Sequence, residues 1–230
     1  PGRLHLIPRT ASSCDDYVLP VIDGKQEQWT AIVRVDEKHL LCLDSSHTLR
    51  RIEYRPEPII HLALAGELTF ETPVTIAPTL TSNNHLVIID QTNRLITLDS
   101  TTLQPEASRK LQNTPTKRIH IANDMFFLEF ENGSLGCFSV DEQLTEQWSL
   151  PLEQNTIAGI PLRHDNHWLI PTSHSGVWKV SATDGKILDK LSTPGSCLGN
   201  PFLLNETPLV PLSDGSLFML SIEPKTENQP

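Results

Sequence analysis

"ENGSLGCFSV", residues 131–140, places a short run of Glu, Asn, Gly and Ser directly ahead of an apolar segment, and it is echoed by "SHSGVWKVSA" at 173–182 and "SDGSLFMLSI" at 213–222. Gly and Asn supply the positive φ of a tight turn, and Leu, Val and aromatic side chains suit a pleated strand, so each stretch reads as a turn entering a strand. The echo therefore marks one structural unit built several times. Aligned on Leu135, Val177 and Leu217, the pattern extends back to Leu95 in "LITL" and Leu40 in "LLCL", which makes five copies. They lie roughly forty residues apart, with a wider gap between Leu40 and Leu95.

Nine residues before each anchor lies a second strand-like run: "AIVRV" from Ala31, "LVIID" from Leu86, "FFLEF" from Phe126, "WLIPT" from Trp168 and "PLVPL" from Pro208. A constant offset with turn residues between the two runs is the signature of a hairpin. A third run precedes each hairpin, as "YVLPVI", "TIAPTL", "RIHIA", "AGIPLR" and "LGNPFLL". Four of these carry Pro20, Pro78, Pro161 or Pro201, whose missing N–H suits a sheet edge. A fourth segment follows each of the first four anchors, "HTLRRIEY", "STTLQPEASRKL", "EQLTEQWSL" and "DGKILDKL".

Four short strands per repeat predict an all-β protein, a β-propeller of four-stranded antiparallel blades with about five blades countable. The expected blades cover about 14–57, 73–114, 115–152, 155–193 and 196–223. Residues 1–13 are expected to form an N-terminal segment with a closing strand, and 224–230 a disordered tail.

The pattern "LVIID…NRLITLDSTTLQP", repeated as "WLIPTSHSGVWKVSATDGKIL", resembles the PQQ-like repeat of quinoprotein dehydrogenase-type propellers over roughly residues 14 to 222. That resemblance implies either a quinoprotein enzyme or a noncatalytic scaffold such as the outer-membrane assembly lipoprotein, and an extracytoplasmic, periplasmic setting. The enzyme requires Ca²⁺ held by carboxylate and amide oxygens, a catalytic Asp and flat partners for the quinone. Here Trp29, Trp148, Trp168 and Trp178 fall at different strand positions, and no vicinal cysteine pair occurs. No catalytic or cofactor-binding residue carries over, so the expectation is a WD40-like or PQQ-like scaffold for protein–protein interaction, with no enzyme activity and no cofactor. A propeller enzyme, quinoprotein dehydrogenase-like or glycosidase-like, or a fragment of a larger multidomain protein are the alternatives.

A net charge of -10 disfavours nucleic acid, which needs clustered Lys and Arg. No segment reaches the ~18 apolar residues of a membrane helix. Cys14, Cys42, Cys137 and Cys197 form no CxxC pair, which argues against a zinc ribbon or redox dithiol. In "RHDNHW" His164 and His167 flank Asp165, with His174 beyond, and these three histidines are weak metal candidates against the reading of a solvated turn. Asp44 and Asp99, placed in one repeat column, read as turn caps, and Ser134 and Ser216 as turn residues without a base.

The alignment also sets packing expectations. Leu43, Leu98, Phe138, Val180 and Leu220 share a column and face the core. Cys42 and Cys137 share another, too far apart for a disulfide. Leu4 to Ile7, in "RLHLIP", is expected to close the ring as the outer strand of blade five, which would let Cys14 approach Cys197.

Overall fold

Short turns with one residue of positive φ set the local architecture. The computed structural model describes residues 2–5, 16–22, 24–116, 118–174 and 176–221. In four hairpins the residue at the bend, His47, Asn93, Gly133 or Gly215, has a φ of 60°, 58°, 76° or 86°. Each donates its N–H to the carbonyl three residues earlier, at 3.1, 3.0, 2.9 and 3.0 Å. A type I turn closed by a left-handed residue matches the twist of the strands it joins. In the first two of these hairpins an aspartate braces the turn: Asp44 Oδ1 accepts from the N–H groups of Ser46 and Thr48, and Asp90 Oδ1 from those of Thr92 and Arg94.

The chain divides into two compact units, Pro1–Ile119 with Val140–Thr145, and His120–Ser139 with Glu146–Pro230. In the first, Arg3–Leu4 (β1) pairs with Tyr17–Val18 (β2), and Val21–Ile22 (β3) with Lys25–Gln26 (β4). A four-stranded antiparallel sheet then runs in chain order through Trp29–Arg34 (β5), His39–Asp44 (β6), Thr48–Arg55 (β7) and His61–Thr69 (β8). A second follows through Val74–Leu80 (β9), His85–Asp90 (β10), Arg94–Asp99 (β11) and Pro105–Lys110 (β12). Leu41, Leu43 and Leu49 of one sheet pack with Leu86, Ile88 and Leu98 of the other.

Among its described residues the second unit has three sheets. His120–Ala122 (β13), Met125–Glu129 (β14), Ser134–Ser139 (β15) and Glu146–Pro151 (β16) form the third blade, and Leu162–His164 (β17), His167–Thr172 (β18), Gly176–Ser181 (β19) and Ile187–Leu191 (β20) the fourth. Phe202–Leu204 (β21), Thr207–Pro211 (β22) and Leu217–Met219 (β23) form a three-stranded fifth. One core joins the third and fourth sheets through Phe127, Leu135, Trp148, Trp168, Trp178 and Val180. Another joins the fourth and fifth through Leu169, Val177, Val210, Leu212 and Leu220. The described residues contain no helix, and so none long and apolar enough to cross a membrane.

The first blade corrects the sequence register. "HLLCLD" is its second strand, and its counterpart is "HLVIID" of β10 rather than the strand that begins near Leu95. The third strand is β7, and β8, in a stretch given no strand above, is the fourth. This accounts for the wide spacing between Leu40 and Leu95. The segment "YVLPVI", expected as a first strand, instead contributes to the small pairs β1–β2 and β3–β4, so the first blade runs from 29 to 69 and not from 14 to 57.

Leu43 thus does not share a column with Leu98, Phe138, Val180 and Leu220, nor Asp44 with Asp99, nor Cys42 with Cys137. All five apolar residues are nevertheless buried: Leu43 and Leu98 lie in the core of the first unit, Phe138 stacks on Phe126, and Val180 and Leu220 lie in cores of the second. Pro78 sits in edge strand β9 where its register with β10 shifts, while Pro161 and Pro201 immediately precede edge strands β17 and β21. Pro20 lies outside the four-stranded sheets.

Arg3 and Leu4 pair with Val18 and Tyr17, so the expected pairing of Leu4 with blade five does not occur. Leu6, Ile7 and Cys14 lie outside the described residues. Cys42, Cys137 and Cys197 are free and buried. Burial pushes the thiols of Cys42 and Cys137 up to about 12.

Candidate interaction surface

The three candidate histidines are split by the strand that carries them. His164 and His167 face each other across the turn between β17 and β18, with His164 Nδ1 3.5 Å from the Asp165 carboxylate. His174 lies past the far end of β18, its Nδ1 2.7 Å from Ser173 Oγ. Burial, followed by the charge of Lys179, lowers the pKa of His167. Among the described residues no group of three or more His, Cys, Asp or Glu side chains is placed to hold a metal ion.

The other sequence candidates serve the frame. Besides its turn, Asp44 accepts at 3.1 Å from Nε of Arg50, whose guanidinium also reaches Glu67 on β8. Asp99 caps the turn after β11 through the N–H groups of Thr101 and Thr102. The Thr102 bonds hold its carboxyl below the usual range. The Ser134 and Ser216 hydroxyls donate to Asn132 and Asp214, at 2.7 Å each. Three tryptophans are core: the Trp148 indole N–H donates to Ala182 O at 3.1 Å, and Trp168 and Trp178 are fully buried. Trp29 packs against Tyr17, ring centroids 6.1 Å apart.

Two surface features bear on function. In the first unit a groove of about 550 Å³ is walled by His85, Glu106, Asp141 and Glu142, with His85 Nδ1 2.5 Å from Glu106 Oε2. In the second unit β22 and β23 of the fifth sheet pack one face onto the fourth sheet and leave the other face open. Its register sets Phe202 opposite Leu209 and Leu209 opposite Met219, with Pro211 opposite Leu217, so strand alternation brings these residues and Leu204 to one side. Val210 and Phe218, on the other side, pack onto the fourth sheet.

On the open side Leu217 is 57% exposed and Met219 59%, whereas the counterparts of Leu217 in the second, third and fourth blades, Leu95, Leu135 and Val177, are 0% exposed. The signal was present in the sequence as the alternation of "SLFMLS", but alternation does not tell which face lacks a neighbour. Glu206 and Asp214 occupy the two turns of this sheet, and from 192 to 221 there is no Lys, Arg or His. The Ser216 hydroxyl and N–H hold the Asp214 carboxyl below its ordinary range, so it is charged at neutral pH.

Sheets of this kind, built in succession from adjacent strands and stacked face to face, define a β-propeller, and solved structures agree. The chain is similar to BamB from Moraxella catarrhalis (TM-score 0.55, 13% identity, 84% of this chain and 64% of that one). It is similar also to the computationally designed Ika8 protein (TM-score 0.61, 12% identity, 87% and 60%) and to the C-terminal WD40 domain of Sif2 (TM-score 0.61, 14% identity, 90% and 58%). The chain thus spans less than two thirds of the length of each. No family sequence model matches it, and no curated protein matches it in sequence.

Proposed function

We propose that this chain is a noncatalytic β-propeller module that binds another protein, as a scaffold or in assembly. The observation that carries the reading is the apolar open face of the fifth sheet, since contiguous exposed apolar surface on a rigid frame is a mark of a protein-binding site. A rigid β frame presents such a face without ordering cost, and the acidic balance of the chain suits a protein partner better than a phosphate backbone. The candidate aspartates are already engaged by the frame, Asp44 by its turn and Arg50 and Asp99 by its turn, which suits a scaffold.

Placing a photo-crosslinking amino acid at Leu217, and separately at exposed Lys186, tests the reading in cells that make the protein. A protein adduct of defined mass from Leu217 but not from Lys186 is the expected result. Absence of any adduct at Leu217 overturns it.

A further inference from the structure

We infer that the open face of the fifth sheet receives an apolar β-sheet face of its partner, bordered by Lys or Arg at both ends. This inference rests on the binding-module reading and deepens it. The same face of the two preceding sheets shows what covers it. Phe127, Leu135 and Cys137 of the third sheet are covered by Trp168, Ile170, Trp178 and Val180 of the fourth. Leu169 and Val177 of the fourth are covered by Val210, Leu212 and Leu220 of the fifth. The covering surface is each time the flat face of an antiparallel sheet with apolar side chains at alternate positions. Phe202, Leu209 and Leu217 repeat the face being covered, offset by one sheet, so they present the same shape.

Charge selects among occupants. Glu206 sits in the turn between β21 and β22, and Asp214 in the turn between β22 and β23, at opposite ends of the sheet, with no cation between. A partner with a basic group at each end of its apolar strip pairs both carboxylates. A second copy of this chain, stacked on the same face, sets these carboxylates against carboxylates and brings together two chains of net charge -10.

The probe is a closed β-hairpin peptide with Val, Ile and Trp on one face and Lys at both ends, compared with the same hairpin carrying Glu for Lys, by fluorescence anisotropy against the whole chain. The Lys hairpin is expected to bind about tenfold more tightly or better. Met219→Lys is expected to abolish binding, and Leu188→Lys, on β20, to leave it unchanged. Both substitutions are at exposed positions, and retained thermal unfolding verifies the fold. Equal binding of the two hairpins, or indifference to Met219→Lys, overturns the inference. So does a dimer in sedimentation that Met219→Lys dissolves.

Dilute peroxide supplies an independent check. In the free chain Met219 is expected to oxidise well before the more enclosed Met125, and protection of Met219 there means the chain itself covers the face, which also overturns the inference. A crosslinked adduct from Leu217 without hairpin preference removes this inference and leaves the binding module standing. Absence of both removes both.

Discussion

Gly159 and Gly199 meet backbone to backbone ahead of the fourth and fifth sheets. A Cβ on Gly159 would lie 2.1 Å from the Gly199 carbonyl oxygen, beside the 2.8 Å bond from Ile160 N–H to Asn200 Oδ1. Gly159→Ala is therefore expected to destabilise the chain by about 1–3 kcal/mol in urea unfolding, since the obstacle is main chain and cannot rotate away. The buried thiols of Cys42 and Cys137 are expected to resist Ellman's reagent at pH 8 in the native protein and to react on unfolding, because only the thiolate attacks.

Acid acts on the turn carboxylates. His39 foremost holds the Asp36 carboxyl down to about 2, and the Thr102 backbone N–H foremost lowers that of Asp99. A carboxylate depressed on folding contributes stability that is present above its unfolded pKa and lost as pH falls through the folded one. The urea midpoint is expected to fall between about pH 4 and 2, and Asp36→Asn to flatten that fall.

At the scale of elements, Arg50 ties three strands together. It lies on β7, binds Asp44 of β6 and reaches Glu67 of β8, with Asp44 fully buried and Glu67 half exposed. Arg50→Ala leaves the Asp44 charge enclosed without its cation, so a loss of about 3 kcal/mol or more is expected by denaturant unfolding. Glu67→Gln should cost much less, because water already screens that carboxylate. These strands also show where periodicity misled: "HLLCLD" carries the apolar density of a middle strand but matches either the second or the third position of a repeat. The fourth strand, β8, reads "HLALAGELT", whose Ala and Gly residues weaken the strand signal. Only pairing with β7 identifies it as the edge of the blade.

For the whole molecule, a net charge of -10 leads to the expectation that the chain passes unretained through a heparin column at low salt, and retention would contradict the protein-partner reading. The repeat, the hairpin turns and the all-β fold were legible from the sequence, because they rest on local chemistry: positive-φ residues at fixed offsets and alternating apolar side chains. The burial of Leu98, Phe138, Val180 and Leu220 was legible for the same reason. The separation of His174 from His164 and His167 followed from strand direction, and Leu4 found its partner in nearby Tyr17 rather than in the last sheet. The open face of the fifth sheet was decided only by tertiary structure. "SLFMLS" has the same alternation as its buried counterparts, and whether an apolar face meets water depends on the presence of a neighbouring sheet, which no local pattern encodes.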